Sequence, residues 1–168
     1  MENYKKSNIP MISGVTLSRS QCPITPEDKR FIEKVPYTSA IGSIMYVMLC
    51  TRPDLGNSLS MISRYQVNPG KDHWVMVKNI LKYLRNTKDE FLIYDSMEEL
   101  TVIGYSDASF QTDRDNFTPQ LGYVFCLNGG DVSLKSSNHN TVADSTLETE
   151  YITTVEFTKE DVWIKKFI

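Results

Sequence analysis

The feature that most constrains the fold is a change of hydrophobic period after Asn86. Before it, apolar residues recur every three or four positions, the spacing of one helix face. Ile41, Ile44, Met45, Met48 and Leu49 do so between Tyr37 and Leu49. Thr51-Arg52-Pro53-Asp54 interrupts them, because proline cannot continue the hydrogen-bond ladder. Leu55, Leu59, Ile62 and Tyr65 give a second helix its apolar side. Asn68-Pro69-Gly70 predicts a turn, Asp72 an N-cap, and Trp74, Val77, Leu81 and Leu84 a third helix.

After Asn86 the pattern turns to strands. Phe91 to Tyr94 and Leu100 to Phe110 are strand candidates. Gly122 to Leu127 and Val132 to Lys135 flank Asn128-Gly129-Gly130, a hairpin signal. Helical spacing returns from about Thr141 to Phe167, with an apolar stripe of Leu147, Tyr151, Val155 and Val162 and with Ile152, Phe157 and Trp163 beside it. Upstream, Ile9 to Leu17 has room for one or two short strands, and Ser18 to Lys34 reads as a charged surface connector. The expected architecture is α/β (α+β): an extended connector over 1–36, a helical module over 37–90, and a sheet-and-helix domain over 91–168.

Composition is that of an ordinary globular chain, 40% hydrophobic and 23% charged, so disorder is not expected. The net charge of -3 supplies no global attraction to nucleic acid. Contacts to phosphates would have to be local, and Lys78, Lys82 and Arg85 form one basic stripe on the third helix. The same stripe also reads as a solvated helix face. Cys22, Cys50 and Cys126 are too scattered for a disulfide framework or a zinc site. His73 and His139 have no ligand partner at metal-binding spacing, so a locally bonded histidine is the expectation for each. No apolar leader or membrane-length stretch is present, which predicts a soluble protein inside the cell, cytoplasmic or nuclear.

Three carboxylates stand out. Asp107 sits near the end of an otherwise apolar strand, where it suits Mg²⁺ or a turn cap. Glu148 and Glu150 open the last helix, where acids also simply favour the helix dipole. Two positions apart, they cannot share a helix face. A strand acid, a hairpin and a helix acid can converge if the helix packs back over the sheet. Two-metal phosphodiester hydrolysis needs such convergence, with more than two acids in the cage.

At this point the blocks resemble the Pol polyprotein of copia-type LTR retrotransposons. Val35-Pro36-Tyr37-Thr38-Ser39-Ala40-Ile41-Gly42-Ser43-Ile44-Met45-Tyr46, Cys50-Thr51-Arg52-Pro53-Asp54 and Asn68-Pro69-Gly70 with His73-Trp74 come in that family's order. Leu81 to Thr87, Gly104-Tyr105-Ser106-Asp107-Ala108, Gly122-Tyr123-Val124-Phe125, and Ala143-Asp144-Ser145-Thr146 leading to Glu148-Thr149-Glu150-Tyr151 follow. The resemblance implies the closing part of a reverse transcriptase followed by the first half of an RNase H domain. It makes Asp107 and Glu150 catalytic Mg²⁺ ligands, with Glu148 as the fallback, and RNA–DNA hybrid and the rest of the polyprotein as partners. The family's later acids are expected downstream of Ile168, so the chain is expected to be a catalytically incomplete fragment. The alternatives are an active Mg²⁺-dependent nuclease recruiting Asp113, Asp144 or Glu156, and a non-enzymatic nucleic-acid or protein interaction module. Phe117 to Leu121, and Leu134 where the family has tryptophan, depart from the pattern and suggest a decaying element.

Overall fold

A computed structural model describes residues 8–12, 14–96, 99–109, 115, 118–138 and 145–168. It is a mixed α/β chain with helices first and the sheet later. The chain divides into two compact units, residues 1–91 and 92–168.

The first unit is helical: α1 (Pro26–Glu33), α2 (Tyr37–Cys50), α3 (Gly56–Ser63) and α4 (Lys71–Asn86). α1 lies inside the stretch 1–36 that the sequence suggested was extended. Thr25 starts it by accepting the Asp28 N–H at 3.2 Å, with Pro26 in the first turn. The short strands expected between Ile9 and Leu17 do not form among the described residues. Instead Asn79 donates to the carbonyls of Ile9 (3.3 Å) and Pro10 (2.9 Å), and Leu17 inserts into the core.

That core joins Leu17, Tyr37, Ile41, Ile44, Leu55, Leu59, Ile62, Tyr65, Met76, Val77 and Ile80. The α3 side buries Leu55, Leu59, Ile62 and Tyr65 as their spacing marked, whereas α2 buries Ile41 and Ile44 but leaves Met45 and Leu49 exposed and Met48 half-buried. On α4 the inward face is His73, Met76, Val77 and Ile80, while Leu81 is exposed. The cap also differs from expectation: Gly70, not Asp72, precedes the helix, and its N–H donates to His73 Nδ1 at 2.7 Å. A Cβ at Gly70 would run into the Gln21 carbonyl, so only glycine fits this approach. His73 is fully buried and stacks on Tyr65 with centroids 4.0 Å apart, a locally bonded core histidine.

The second unit is an antiparallel sheet, β1 (Val102–Ser109), β2 (Gln120–Leu127) and β3 (Gly130–Asn138) in that order, with α5 (Thr146–Ile164) across one face. Asn128 (φ 46°) and Gly129 (φ 85°) both take left-handed backbone, as a two-residue hairpin turn requires. Phe91 to Tyr94 forms no strand. Within that run, Tyr94 donates its hydroxyl to the Asp131 carbonyl at 2.9 Å, and beyond it the Asp95 N–H bonds the Asn128 carbonyl at 2.9 Å, so side-chain and turn bonds replace a ladder.

α5 reverses the expected burial. Leu147, Tyr151, Val155 and Val162 are exposed, while Thr149, Thr153 and Ile164 are buried. Thr149 and Thr153 donate to the carbonyls of Ser145 (3.1 Å) and Thr149 (2.9 Å). Their hydroxyls are therefore satisfied inside the helix, which offsets the cost of taking them out of water. Phe157 stacks on Phe125 at 4.7 Å directly above Gly104, where a Cβ would collide with both rings. No helix among the described residues is long and apolar enough to cross a membrane.

Candidate functional site

Asp107 lies three residues beyond Gly104 on β1, opposite Gly122 of β2, and is exposed. Gly104 faces α5. Strand alternation therefore turns Ile103, Tyr105 and Asp107 to the other face of the sheet. Ile103 and Tyr105 stand open there at 50% and 60% exposure, which leaves an apolar surface beside the carboxylate.

α5 runs antiparallel to β1. Glu156 bonds Lys135 at 3.0 Å and Glu160 bonds Ser133 at 2.7 Å, so rising helix number meets falling strand number on β3. On β1 the same sense carries the first turns of α5 toward Asp107. Glu150 is seven residues before Phe157, about 10 Å along the helix. Asp107 is three residues after Gly104, also about 10 Å along the strand. The two carboxylates thus sit level, at the same end of the unit.

Helix angle separates the two glutamates. Around α5, Glu150 lies about 60° from buried Thr153, on the side opposite Glu156. That side overlooks the outer edge of β1, with which no other strand pairs among the described residues. Glu148 lies about 140° from Thr153 and points away from the sheet. Its N–H is the one that Ser145 caps, at 3.2 Å. Asp107 and Glu150 therefore flank the open β1 edge from opposite faces, and Glu148 does not.

Two carboxylates do not make a cage for two Mg²⁺ ions. Among the described residues there is no group of three or more His, Cys, Asp or Glu side chains able to hold a metal ion. The described residues do not by themselves fit the ion pair that the resemblance implies. Asp113 and Asp144, named as further ligands, lie outside the described residues, as does His139. Glu156 is turned to the β3 side, where bonds from Lys159 and Lys135, both 3.0 Å, hold its carboxyl below the usual range.

Lys78, Lys82 and Arg85 share one face of α4, within about 60° of each other and away from the core. Lys78 and Lys82 are half-buried and Arg85 is exposed. Lys82 and Arg85 each already engage a neighbouring group.

Sequence spacing did not reveal a polar cluster beneath that helix. Arg52 forks onto Asp54 (3.0 and 2.9 Å), donates to the Thr87 hydroxyl (2.7 Å) and carbonyl (3.2 Å), and lies 5.1 Å from the Tyr83 ring centroid. Tyr83 donates to Asp54 at 2.7 Å. The only sequence signal was an arginine and an aspartate flanking Pro53, with both partners some thirty residues away. The cluster is a staple between the α2–α3 junction and the end of α4, with no open coordination position.

Comparison with known proteins gives a consistent set of relatives. The chain is 43% identical over all 168 of its residues to the retrovirus-related Pol polyprotein from transposon TNT 1-94 of Nicotiana tabacum, of which it spans 13%. It is 32% identical over 128 residues to the corresponding polyprotein from transposon RE2 of Arabidopsis thaliana, 76% of this chain and 9% of that one. It is also 40% identical over 133 residues to secreted RxLR effector protein 161 of Plasmopara viticola, 79% of this chain and 94% of the effector. No family model matches the chain, and no solved structure matches it.

Proposed function

We propose that this chain, whose relatives include retrovirus-related Pol polyproteins from copia-type transposons, is a piece of such a polyprotein and forms in it the end of the reverse transcriptase and the first part of an RNase H domain. The observation that supports this reading is that Asp107 and Glu150 fall at the same end of one unit. A strand acid and a helix acid lie level on either side of one open strand edge, in a strand–hairpin–helix unit. That is a partial frame for Mg²⁺ and the phosphodiester of an RNA–DNA hybrid. The frame needs further carboxylates, and the rest of the Pol polyprotein is the partner that would supply them. Lys78, Lys82 and Arg85 would meet the duplex backbone as a local patch.

The test is Mg²⁺-dependent cleavage of an RNA–DNA hybrid by the purified chain, with Asp107→Asn as control. This reading predicts no cleavage by the isolated chain. Robust cleavage that Asp107→Asn abolishes would instead establish a complete nuclease.

One observation favours a second reading, a non-enzymatic interaction module. The effector relative is covered over 94% of its length, so much of this sequence recurs in a protein not named as a polyprotein. Hybrid binding that falls with salt, and weakens when Lys78, Lys82 and Arg85 become alanine, would favour nucleic acid as the partner. Absence of binding at low salt would leave only a protein partner for that module.

A further inference from the structure

Asn128 makes more bonds than the tip of a hairpin needs. Its N–H donates to the Thr101 carbonyl at 3.0 Å, and its carbonyl accepts the Asp95 N–H at 2.9 Å. Its side-chain amide repeats the pattern. Oδ1 accepts the Thr101 N–H at 2.8 Å, and Nδ2 donates to the Asp95 carbonyl at 3.2 Å. Backbone and amide are thus both committed to holding Asp95 and Thr101 against the turn. Tyr94 lies beside them, with its ring where a Cβ of Gly130 would stand and its hydroxyl on the Asp131 carbonyl. Residues 93–95 open the sheet unit, just after the boundary at Phe91.

Asn128 is also the one asparagine of the sequence that a glycine follows. Gly129 is exposed, takes φ 85°, and has open space where a Cβ would stand. No side chain of its own screens its peptide nitrogen. We propose that Asn128 is a site of spontaneous deamidation, and that the reaction unlatches residues 93–95 from the hairpin.

The Gly129 nitrogen gives up its proton and attacks Cγ of Asn128. An N–Cγ bond forms, the Cγ–Nδ2 bond breaks, and Nδ2 leaves as ammonia with that proton, which closes a succinimide. Negative charge gathers on Oδ1 during the attack, and the Thr101 N–H already donates to that oxygen at 2.8 Å. Both amide bonds lie at the surface, so water reaches the ring. Water opens it at Cγ to give aspartate, or at the backbone carbonyl to give isoaspartate. No oxidant or cofactor enters. Aspartate lacks the Nδ2 donor and sets a carboxylate against the Asp95 carbonyl. In isoaspartate the main chain runs through Cβ and Cγ, one atom longer, and the former Asn128 carbonyl becomes a free carboxylate. A two-residue turn fixes the span between its strands, and the extra atom breaks that match. The bonds that hold residues 93–95 are weakened by the first product and lost with the second. This inference does not depend on the nuclease reading.

Peptide mapping by mass spectrometry tests it, on the full chain held at mildly alkaline pH and sampled over time. Asn128 should be converted before any other asparagine, with isoaspartate at that position detected by enzymatic methylation. Hydrogen exchange on the same samples reads the latch. As conversion proceeds, the Asp95 and Thr101 amides should exchange faster by roughly fivefold or more, the scale of one lost neutral hydrogen bond. Asn128→Gly suits the left-handed turn but has no amide to lose, so its exchange rates should not drift during the same incubation. Earlier conversion of another asparagine, an Asn128 that stays unconverted, conversion that leaves both amides at their starting rates, or an equal drift in Asn128→Gly would each overturn the proposal.

Discussion

Residues 1–91 and 92–168 bury their side chains to very different depths. The helical unit closes eleven apolar side chains into one cluster, with Tyr37 donating its hydroxyl to the Ile62 carbonyl at 2.8 Å inside it. In the sheet unit the buried hydrophobics among the described residues are Leu121, Phe125 and Ile164, joined by Thr149 and Thr153. The difference lies in geometry. Four helices enclose a volume, whereas three strands and one helix cover only one face of a sheet. The helical unit is therefore a finished core, and the sheet unit is a half-covered layer. The carboxylates singled out for chemistry sit on the half-covered one.

The comparison is broken most directly at Phe125, the largest buried side chain of the sheet unit. Phe125→Ala should cost about 3–5 kcal/mol, on the scale of a marginal unit's whole stability. The amide signals of residues 92–168 should collapse while those of residues 1–91 keep their dispersion. Loss of both sets together would show that the two units fold as one. Arg52→Ala strikes the helical unit instead, by leaving Asp54 without its forked partner. It should cost about 1.5–3 kcal/mol by urea denaturation and leave the sheet unit's signals in place. Gly104→Ala forces a Cβ between Phe157 and Phe125. Overpacking there should cost about 1–3 kcal/mol, and a neutral result would mean that α5 is free to lift.

The smallest effect is electrostatic. Burial alone would raise the Asp54 carboxyl, but the bonds from Arg52 and Tyr83 outweigh it and hold the group below the usual carboxylate range. A carboxyl depressed in the folded state stabilises above its unfolded value and loses that contribution as pH falls through the folded one. The helical unit should therefore weaken below about pH 4, by less than about 1 kcal/mol given the partial exposure of Asp54. Asp54→Asn should flatten that part of the profile in pH-dependent thermal melts.

Much of the fold was legible because local signals agreed. The α3 side followed its apolar spacing, α2 did so at Ile41 and Ile44 but not at Met45 and Leu49, and Asn128-Gly129 dictated the hairpin through its left-handed backbone. What misled was reading burial from hydrophobicity alone. On α5 the apolar stripe of Leu147, Tyr151, Val155 and Val162 stays outside, while threonines bonded back into the helix go inside. The α4 cap was misassigned because Gly70 has no side chain to announce it; the acceptor is His73, three residues on. At the candidate site, residue spacing alone did not separate Glu150 from Glu148, and the resemblance set Glu150 first with Glu148 as the fallback. Only the packing of Thr153 and Phe157 fixes which side of the helix overlooks β1. The Arg52 staple was invisible, since Tyr83 and Thr87 approach it only through the fold.

In the proposed function the strand–hairpin–helix unit supplies Asp107 and Glu150 to a hybrid-cleaving site completed by the rest of a polyprotein. The most direct measurement replaces the matched 13% of the tobacco polyprotein with this chain and follows RNA–DNA hybrid cleavage in Mg²⁺. The account predicts cleavage by the chimera, abolished by Asp107→Asn and by Glu150→Gln and retained in Glu148→Gln. Cleavage untouched by Asp107→Asn and Glu150→Gln would contradict it.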